Sequence, residues 1–340
     1  MFDWKWNLSD LRADKPVRVF SCFSCGGGSS MGYKKAGFQV IGNCEIDPRV
    51  NALYLANLHP KYNFCMDLRE FNRLQDLPKE LFNLDILDGS PPCSTFSTAG
   101  LREKVWGKEK SFREGQKKQT LDDLFFVFLD TVEKLKPKVV VAENVTGIIK
   151  GNAKGYVNLI IKRFKELGYA VQIFQLNAAY MDVPQARERV FFIANRMGYP
   201  KLKLNFHNEI IRFGKVRTAH GKSIEKSPKI LNLVKIAKQS GDTCLGNTTE
   251  KLGKREFFNY MLCYDRSVAY CLTASCTLLR AVDNSAFSDG DCINISTFPQ
   301  DYNFINQDVR YVCGMSVPPN MTANIANEIW KQWLSNGNKE

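Results

Sequence analysis

The sequence predicts an α/β fold, in which helices cover both faces of a parallel sheet, together with a smaller domain of irregular pattern. Apolar, β-branched runs alternate with amphipathic stretches up to about residue 200, and this alternation is typical of parallel strands joined by crossover helices. Beyond that point the alternation stops, and residues 201–290 become basic and rich in Ser, Asn and Gly. The break in pattern predicts the second domain.

The predicted strands are short apolar runs, most of them bounded by glycine, proline or polar residues. In chain order they are 17–23, 38–45, 84–90, 138–144, 170–177 and 189–195. The predicted helices are 30–37, 121–137, 156–168 and 322–334. Pro137 and Gly168 end the second and third of these. We expect the apolar face of the last helix to pack against the large domain, and it is formed by Ile325, Ile329, Trp330, Trp333 and Leu334.

The net charge indicates the kind of partner. The chain carries 47 Lys and Arg against 35 Asp and Glu, a formal charge of +12, and residues 201–275 hold 14 of the basic and 6 of the acidic residues. An excess concentrated in this way predicts a polyanion such as nucleic acid as the partner. On charge alone, a solvated basic surface explains the same numbers.

Other functional classes are disfavoured by composition. No run of about 18 apolar residues predicts a membrane span, and the N-terminal residues lack the apolar core of a signal peptide. We therefore expect a cytoplasmic protein. The eleven cysteines are interpreted as reduced thiols. Since Cys22 and Cys25 form the sole C-x-x-C pair and the three histidines are scattered, we expect no metal.

A glycine cluster, "CFSCGGGSSMG" (22–32), follows the first strand. Glycines at a strand-to-helix turn let the backbone approach a ligand closely. Glu45 ends the second strand, where an acid can bind ribose hydroxyls. The spacing is G-x-G-x-x-x-G and no phosphate-binding lysine follows, so these residues are compatible with a nicotinamide cofactor and equally with a nucleoside cofactor that lacks a pyrophosphate.

Three further stretches place reactive side chains at predicted strand ends. "SPPCSTFS" (90–97) contains Cys93 after two prolines, "AENV" (142–145) contains Glu143, and "QARERVFFIA" (185–194) contains Arg187 and Arg189. Each has an ordinary explanation, as a buried thiol, a carboxylate at a sheet end and its ion-pair partners. Their occurrence together, in this order and at strand ends, indicates a catalytic site.

These stretches resemble the conserved motifs of the DNA (cytosine-5) methyltransferases, as do "FPQDYNF" and "CGMSVPPNMTANIA" nearer the C-terminus. The resemblance covers residues 17–195 and about 295–334. It implies a Rossmann-like S-adenosylmethionine-dependent methyltransferase domain of the bacterial or phage type, formed by residues 1–200 and 295–340. It also implies a monomer that acts in a bacterial cell or a phage-infected host. Residues 201–294 fall where that family has its target-recognition domain.

The resemblance also implies roles for individual residues. Cys93 would add as a thiolate to C6 of a cytosine flipped out of double-stranded DNA, and Glu143 would hydrogen-bond N3 and the exocyclic amine of the base. Arg189 would orient the Glu143 carboxyl group and the base, with help from Arg187. S-adenosyl-L-methionine, which becomes S-adenosyl-L-homocysteine, would contact Phe23, Gly26, Gly28, Glu45, Ile46, Asp67, Leu68, Pro92, Leu124 and Ser316.

The sequence departs from the family pattern at two positions of the expected cofactor pocket. Cys25 stands where the family usually has glycine, and Met315 stands where it usually has asparagine. The segment 94–119 is a candidate for a mobile loop that closes over the site. Within the target-recognition region, Lys251, Lys254 and Arg255 are candidates for contacts to DNA.

Some alternatives remain open at this level. A tRNA cytosine-5 methyltransferase would share the catalytic residues, although the Cys-Phe-Thr tripeptide that resembles that branch is absent from the sequence. A non-catalytic DNA-binding relative is disfavoured because Cys93, Glu143, Arg187 and Arg189 are all present. A restriction endonuclease that acts separately is a candidate partner.

Overall fold

A computed structural model describes residues 1–92, 109–110, 119–120, 124–150, 154–254 and 256–335. The chain forms two compact units. The sheet unit consists of Leu11–Leu176, Glu188–Asn205 and Ile325–Glu340. The second unit consists of Met1–Asp10, Asn177–Arg187 and Phe206–Asn324. Residues 295–324, which the sequence assigns to the catalytic domain, thus cluster with the second unit.

The strands are β1 (Arg18–Cys22), β2 (Gln39–Cys44), β3 (Tyr62–Phe64), β4 (Ile86–Gly89), β5 (Glu109–Lys110), β6 (Gln119–Thr120), β7 (Val139–Val145), β8 (Ala170–Asn177), β9 (Gln185–Ala186), β10 (Glu188–Asn195), β11 (Tyr260–Cys263), β12 (Ala269–Tyr270), β13 (Thr277–Arg280) and β14 (Ser285–Ala286). The α-helices are α1 (Gly28–Lys35), α2 (Pro48–Leu58), α3 (Leu68–Arg73), α4 (Leu124–Leu135), α5 (Lys154–Glu166), α6 (Phe213–Val216), α7 (Pro228–Ser240), α8 (Leu245–Lys251), α9 (Asp289–Ile295), α10 (Val309–Met315) and α11 (Pro319–Ile329). Short 3-10 turns cover Leu8–Asp10, Lys79–Phe82, Thr146–Ile149 and Ala178–Tyr180, and a π-helical turn covers Trp330–Leu334.

The sheet unit is built on seven strands in the order β3-β2-β1-β4-β7-β10-β8. Strands β1, β2, β4 and β7 pair in parallel, as predicted, and β3, which was not predicted, joins them in parallel. Strand β10, in contrast, pairs antiparallel with β7. The prediction of a wholly parallel sheet was therefore wrong at this strand. No crossover helix separates β8 from β10, and a strand that follows without such a connection cannot return in the parallel direction.

The core of the sheet unit lies between the central strands and helices α3, α4 and α5. Helix α4 confirms the helix predicted around residues 121–137, and its buried side chains Phe125 and Phe128 recur one turn apart. Phe125 packs edge-on against Phe192 of β10 with ring centroids 5.2 Å apart. Each fully buried side chain of this kind stabilises the fold by about 1.5–3 kcal/mol.

Helices α2 and α3 were not predicted, although both carry start signals. Asp47 accepts a hydrogen bond from the Arg49 amide at 3.0 Å, and Pro48 occupies the first turn of α2. Asp67 caps α3 in the same way through the Arg69 amide at 2.8 Å. These caps place both helices directly after strands β2 and β3.

The second unit contains a three-stranded sheet in the order β11-β13-β14 and a small core that includes residues of α7 and α8. Helix α7 ends at Gly241, whose φ of 74° is the left-handed conformation of a helix C-terminus. The region is irregular in that its helices and short strands follow no repeated order, but it has more secondary structure than its composition suggested.

The C-terminal helix was predicted correctly over 322–334, as α11 and the π-helical turn. Within the sheet unit, Trp330 packs edge-on against Phe38 with ring centroids 6.4 Å apart, and Trp333 stacks on Tyr199 at 5.8 Å. The indole of Trp333 also donates a 2.9 Å hydrogen bond to the Pro200 carbonyl. In the described part of the chain, no helix combines the length and apolar character that a membrane crossing requires.

Candidate active site

The carboxyl ends of the parallel strands meet at one edge of the sheet unit. The register aligns Cys22 with Cys44 and with Gly89, and Gly89 with Ala142. The residues that follow these four positions are Phe23, Glu45, Ser90 and Glu143. Residues predicted separately for cofactor binding and for catalysis therefore lie along the same sheet edge, where open α/β sheets bind their ligands.

The turn after β1 winds through left-handed backbone at Phe23 (φ 51°), Cys25 (φ 47°) and Gly27 (φ 85°). A Cβ atom at Gly27 would lie 2.3 Å from Cδ1 of Leu58, so this position requires glycine. Cys25 has the left-handed φ that glycine adopts without strain, whereas a side chain there costs about 1 kcal/mol. Gly26 and Gly28 are buried in the same turn.

Glu45 ties this turn to the end of β2. One carboxylate oxygen accepts the Cys25 amide at 2.9 Å and the other accepts the Asp47 amide at 3.0 Å. The side chain is 8% exposed, and burial raises the pKa of its carboxyl group. The Ile46 amide also interacts with this carboxylate. Because a carboxylate has about four lone-pair sites, Glu45 retains capacity for a further donor such as a ribose hydroxyl.

The other predicted cofactor residues differ in accessibility. Ile46 and Pro92 are half-buried, and Asp67 caps α3 while its second oxygen pairs with Arg69 at 3.1 Å. Leu68 and Leu124 are buried members of the core, so their backbone atoms are better placed for a ligand than their side chains. Ser316 and Met315 both belong to the second unit. The Ser316 hydroxyl donates to the Val312 carbonyl at 2.8 Å.

The segment that leads to Cys93 is fixed by two contacts. The Asn144 side chain donates to the Pro91 carbonyl at 3.1 Å. A Cβ atom at Gly89 would lie 2.4 Å from the Phe128 ring, so the strand passes directly over this aromatic side chain. Cys93 and most of the predicted loop 94–119 lie outside the described residues. Asn144 was not predicted as a site residue, although its position directly after Glu143 could have indicated it.

Glu143 and Arg189 form an ion pair, with Nε of Arg189 2.9 Å from Oε1 of Glu143. The antiparallel register sets Phe191 opposite Glu143 and Arg189 opposite Val145, which makes Glu143 and Arg189 diagonal neighbours on one face. Their side chains are 12% and 13% exposed. The pair can hold a carboxyl group in a fixed orientation at the sheet edge.

Arg187 has a different environment from Arg189, although the two residues are only two positions apart in the sequence. Arg187 is 2% exposed and belongs to the second unit. Its Nη1 donates to the carbonyl groups of Leu272 at 2.8 Å and Gly314 at 3.1 Å. These contacts join two distant segments of the second unit.

Asp88 was not predicted as a site residue. The feature that could have indicated it is the presence of an acidic residue inside the apolar run "LDILDG" (84–89). It is 3% exposed and accepts hydrogen bonds from the hydroxyls of Ser21 at 2.8 Å, Ser29 at 2.7 Å and Tyr33 at 3.2 Å. Burial raises the pKa of its carboxyl group to about 6.

Among the predicted DNA contacts, Lys251 pairs with Asp242 at 2.6 Å while its side chain stays more than half exposed. Lys254 is exposed, and its amide donates to the Thr249 carbonyl at 2.9 Å. Arg255 lies outside the described residues. Over the described ranges, no group of three or more His, Cys, Asp or Glu side chains is arranged to hold a metal ion.

Solved structures with the same fold include a DNMT2 mutant of Spodoptera frugiperda, with a TM-score of 0.65 and 16% identity, covering 92% of this chain and 99% of that one. The Dnmt2 methyltransferase of S. pombe has a TM-score of 0.61 and 14% identity, covering 93% and 99%. At these identities the likeness shows the fold alone.

Similar sequences include the type II methyltransferase M.NgoPII of Neisseria gonorrhoeae, 34% identical over 53% of this chain and 48% of the relative. The type II methyltransferase M1.HphI of Haemophilus parahaemolyticus is 26% identical over 91% and 85%. The orphan methyltransferase M.Rho11sI of Bacillus phage rho11s is 32% identical over 53% and 33%. The chain thus matches about half or less of the first and third of these relatives.

A family model described as C-5 cytosine-specific DNA methylase matches residues 17–331. This range includes the glycine turn, the Glu143–Arg189 pair and α11. The sequence motifs, the strand order and this match agree, and the chain belongs to the C-5 cytosine-specific DNA methylase family.

Proposed function

We propose that the protein methylates C5 of a cytosine in a specific sequence of double-stranded DNA, with S-adenosyl-L-methionine as the methyl donor. The observation that carries the proposal is the shared sheet edge, which aligns Phe23 and Glu45 of the donor site with Ser90 and Glu143 of the base site. Family membership supports the same chemistry.

The donor site fits this cofactor. Glu45 is a buried carboxylate with spare acceptor capacity at the end of β2, as a ribose diol requires. The backbone of the glycine turn has no side chain at Gly26, Gly27 or Gly28 to block close approach. When bound, S-adenosylmethionine supplies an electrophilic methyl group on a sulfonium centre.

The residues of this chain would activate the base. The Cys93 thiolate forms a bond to C6 of cytosine, and the π electrons of the C5–C6 bond shift toward C5, which becomes nucleophilic. Glu143, after it takes up a proton from solvent as the base binds, shares that proton with N3, which offsets the charge that develops on the ring. Arg189 stabilises the resulting carboxylate through the 2.9 Å contact. Once C5 carries the transferred methyl group, its proton passes to a base, the C5–C6 double bond is restored as the thiolate leaves C6, and N3 returns its proton to Glu143.

Recognition is proposed to reside in residues 201–294, which carry the basic excess. The cytosine must leave the duplex to reach Cys93, at a cost of a few kcal/mol that DNA contacts must supply. The names of the bacterial relatives, type II methyltransferases, support a role in restriction–modification with a separately acting endonuclease.

The decisive test uses tritiated donor with duplex DNA and with tRNA, followed by bisulfite sequencing of the DNA. The wild type should label duplex DNA, and Cys93→Ser should abolish labelling while the variant still binds donor and duplex. Cys65→Ser, which alters an exposed thiol, is the matched control and should remain active. Turnover by Cys93→Ser above about a thousandth of wild type would refute the covalent step. Label transferred to tRNA and not to DNA would refute the substrate.

A further inference from the structure

Asp88 is a buried carboxylate to which the proposed mechanism gives no task. It lies in β4, whose next residue, Gly89, ends the strand a few positions before Cys93. Ser21 and Ser29 both donate to Oδ2, at 2.8 and 2.7 Å, and Tyr33 donates to Oδ1 at 3.2 Å. With 3% of its surface exposed, it is held by these donors and does not contact solvent freely.

The three donors flank the glycine turn on both sides. Ser21 lies in β1 immediately before the turn, while Ser29 and Tyr33 lie in α1 immediately after it. One carboxylate therefore clamps both ends of the turn to the strand that leads toward Cys93. Ser29 is in the first turn of α1, where the partial positive charge of a helix N-terminus also favours an anion.

This arrangement requires the ionised form of Asp88. An ionised carboxylate accepts all three hydroxyl protons, whereas a protonated one must donate its own proton and reverse or lose one of these bonds. Burial raises the pKa of Asp88 to about 6, Glu143 on β7 adds to the rise, and the three hydroxyls oppose it. The other titratable groups that interact with it are Cys22 on β1, Tyr33 on α1 and Tyr54 on α2.

We propose that Asp88 is a positioning residue: while it is ionised, it holds the glycine turn in the geometry that binds the methyl donor. Protonation of Asp88 in weakly acidic solution therefore weakens binding of the methyl donor. The inference rests on the proposed function of that turn. Glu45 is the competing source of any acid-dependent loss, because burial raises its pKa as well.

The test is calorimetric titration of S-adenosylhomocysteine and S-adenosylmethionine into the full chain between pH 5 and 8. For the wild type, the Kd should rise below about pH 6 with a slope approaching tenfold per pH unit. Asp88→Asn should bind at least tenfold more weakly at pH 7.5 and should lose this slope. Asp85→Asn is the matched control, since Asp85 is also buried and bonds the Arg18 amide and Lys138 just before β4 begins; it should follow the wild type.

Tyr33→Phe gives a second reading that does not depend on the folding of Asp88→Asn. It removes one donor to the ionised carboxylate, so the midpoint of the acid-dependent loss should move to higher pH. A midpoint unchanged in Tyr33→Phe, or the wild-type slope retained in Asp88→Asn, would overturn the inference and assign the loss to Glu45. A wild-type Kd that is constant over this pH range would also overturn it. Absence of donor binding by the wild type at pH 7.5 would instead refute the proposed function.

Discussion

Nε of Arg189 lies 2.9 Å from Oε1 of Glu143, and both side chains are largely buried at the sheet edge. Because β7 and β10 run antiparallel, the pair is formed by diagonal neighbours on adjacent strands. A pair of this kind fixes a carboxyl group where the chemistry needs it, but each charge depends on the other for compensation.

Arg189→Ala should lower the free energy of unfolding by about 3 kcal/mol, because it leaves the Glu143 carboxylate buried without this partner. Arg163→Ala is the control, since Arg163 pairs with the exposed Glu133 and should cost below about 1 kcal/mol. Urea denaturation of both variants measures the difference. If both variants lost the same free energy of unfolding, the buried position of the Glu143–Arg189 pair would add nothing to its contribution to stability.

Glu45→Ala should weaken donor binding by roughly 1–3 kcal/mol, because a ribose hydroxyl loses its charged acceptor. It should also destabilise the chain, since the Cys25 and Asp47 amides lose their acceptor. Glu45→Gln keeps an acceptor for one of the two amides but lacks the charge, so it should lose less stability than Glu45→Ala while it still weakens donor binding. Calorimetry that showed undiminished donor binding, or tight binding of NAD, would contradict the assignment.

Gly27→Ala should destabilise the turn after β1 by more than about 1 kcal/mol, because the residue has a φ of 85° and a new Cβ would lie 2.3 Å from Leu58. Gly155→Ala in α5 has no atom within 4 Å of the new Cβ and should be neutral or stabilising. Thermal unfolding of the two variants tests this. A neutral Gly27→Ala would mean that the turn adapts to a side chain.

The stability of the wild type relative to Asp88→Asn should fall as pH rises from about 4 to about 6. The pKa of Asp88 rises from 3.8 to about 6 on folding, so the folded state binds the proton more tightly than the unfolded state does. The free energy of unfolding therefore falls as pH rises between these two values. The cost is on the order of 3 kcal/mol. Urea titrations at pH 4.5, 5.5 and 7 measure it. A difference between wild type and variant that did not change with pH would show that Asp88 does not titrate in this range.

Lys254→Ala should weaken binding to all duplexes alike and lower the salt slope of binding by about 1, if it contacts a phosphate. Lys251→Ala should have a smaller effect, because Asp242 already pairs with Lys251. Loss of specificity at one base pair in either variant would identify a base contact.

Exchanging residues 201–294 with those of a relative of different specificity should move the methylated site, and an active chimera that kept the original site would place recognition elsewhere.

The elements that sequence reasoning found are those whose own residues determine them. Apolar runs such as "KVVVAEN" become buried strands, and the helical spacing of Phe125 and Phe128 places them in one core. The direction of β10 depends on which strand it joins, and the task of Asp88 depends on three hydroxyls that lie 55 to 67 residues away. Such long-range relations leave little trace in local pattern. Helix α3 was missed because it is short and its cap, Asp67, is a weak signal by itself. Helix α2 was missed although Val50, Leu53, Tyr54 and Leu58 recur at helical spacing.

The contacts of Arg187 affect how a mutational scan of this chain should be interpreted. One guanidinium group joins the carbonyls of Leu272 and Gly314, so replacing it loosens two chain segments simultaneously. In a selection for methylation, Arg187 and Arg189 variants would fail alike and would suggest two equivalent catalytic arginines. Measuring methylation per amount of folded protein would separate them, because folded Arg187 variants should retain activity, whereas folded Arg189 variants should lack it.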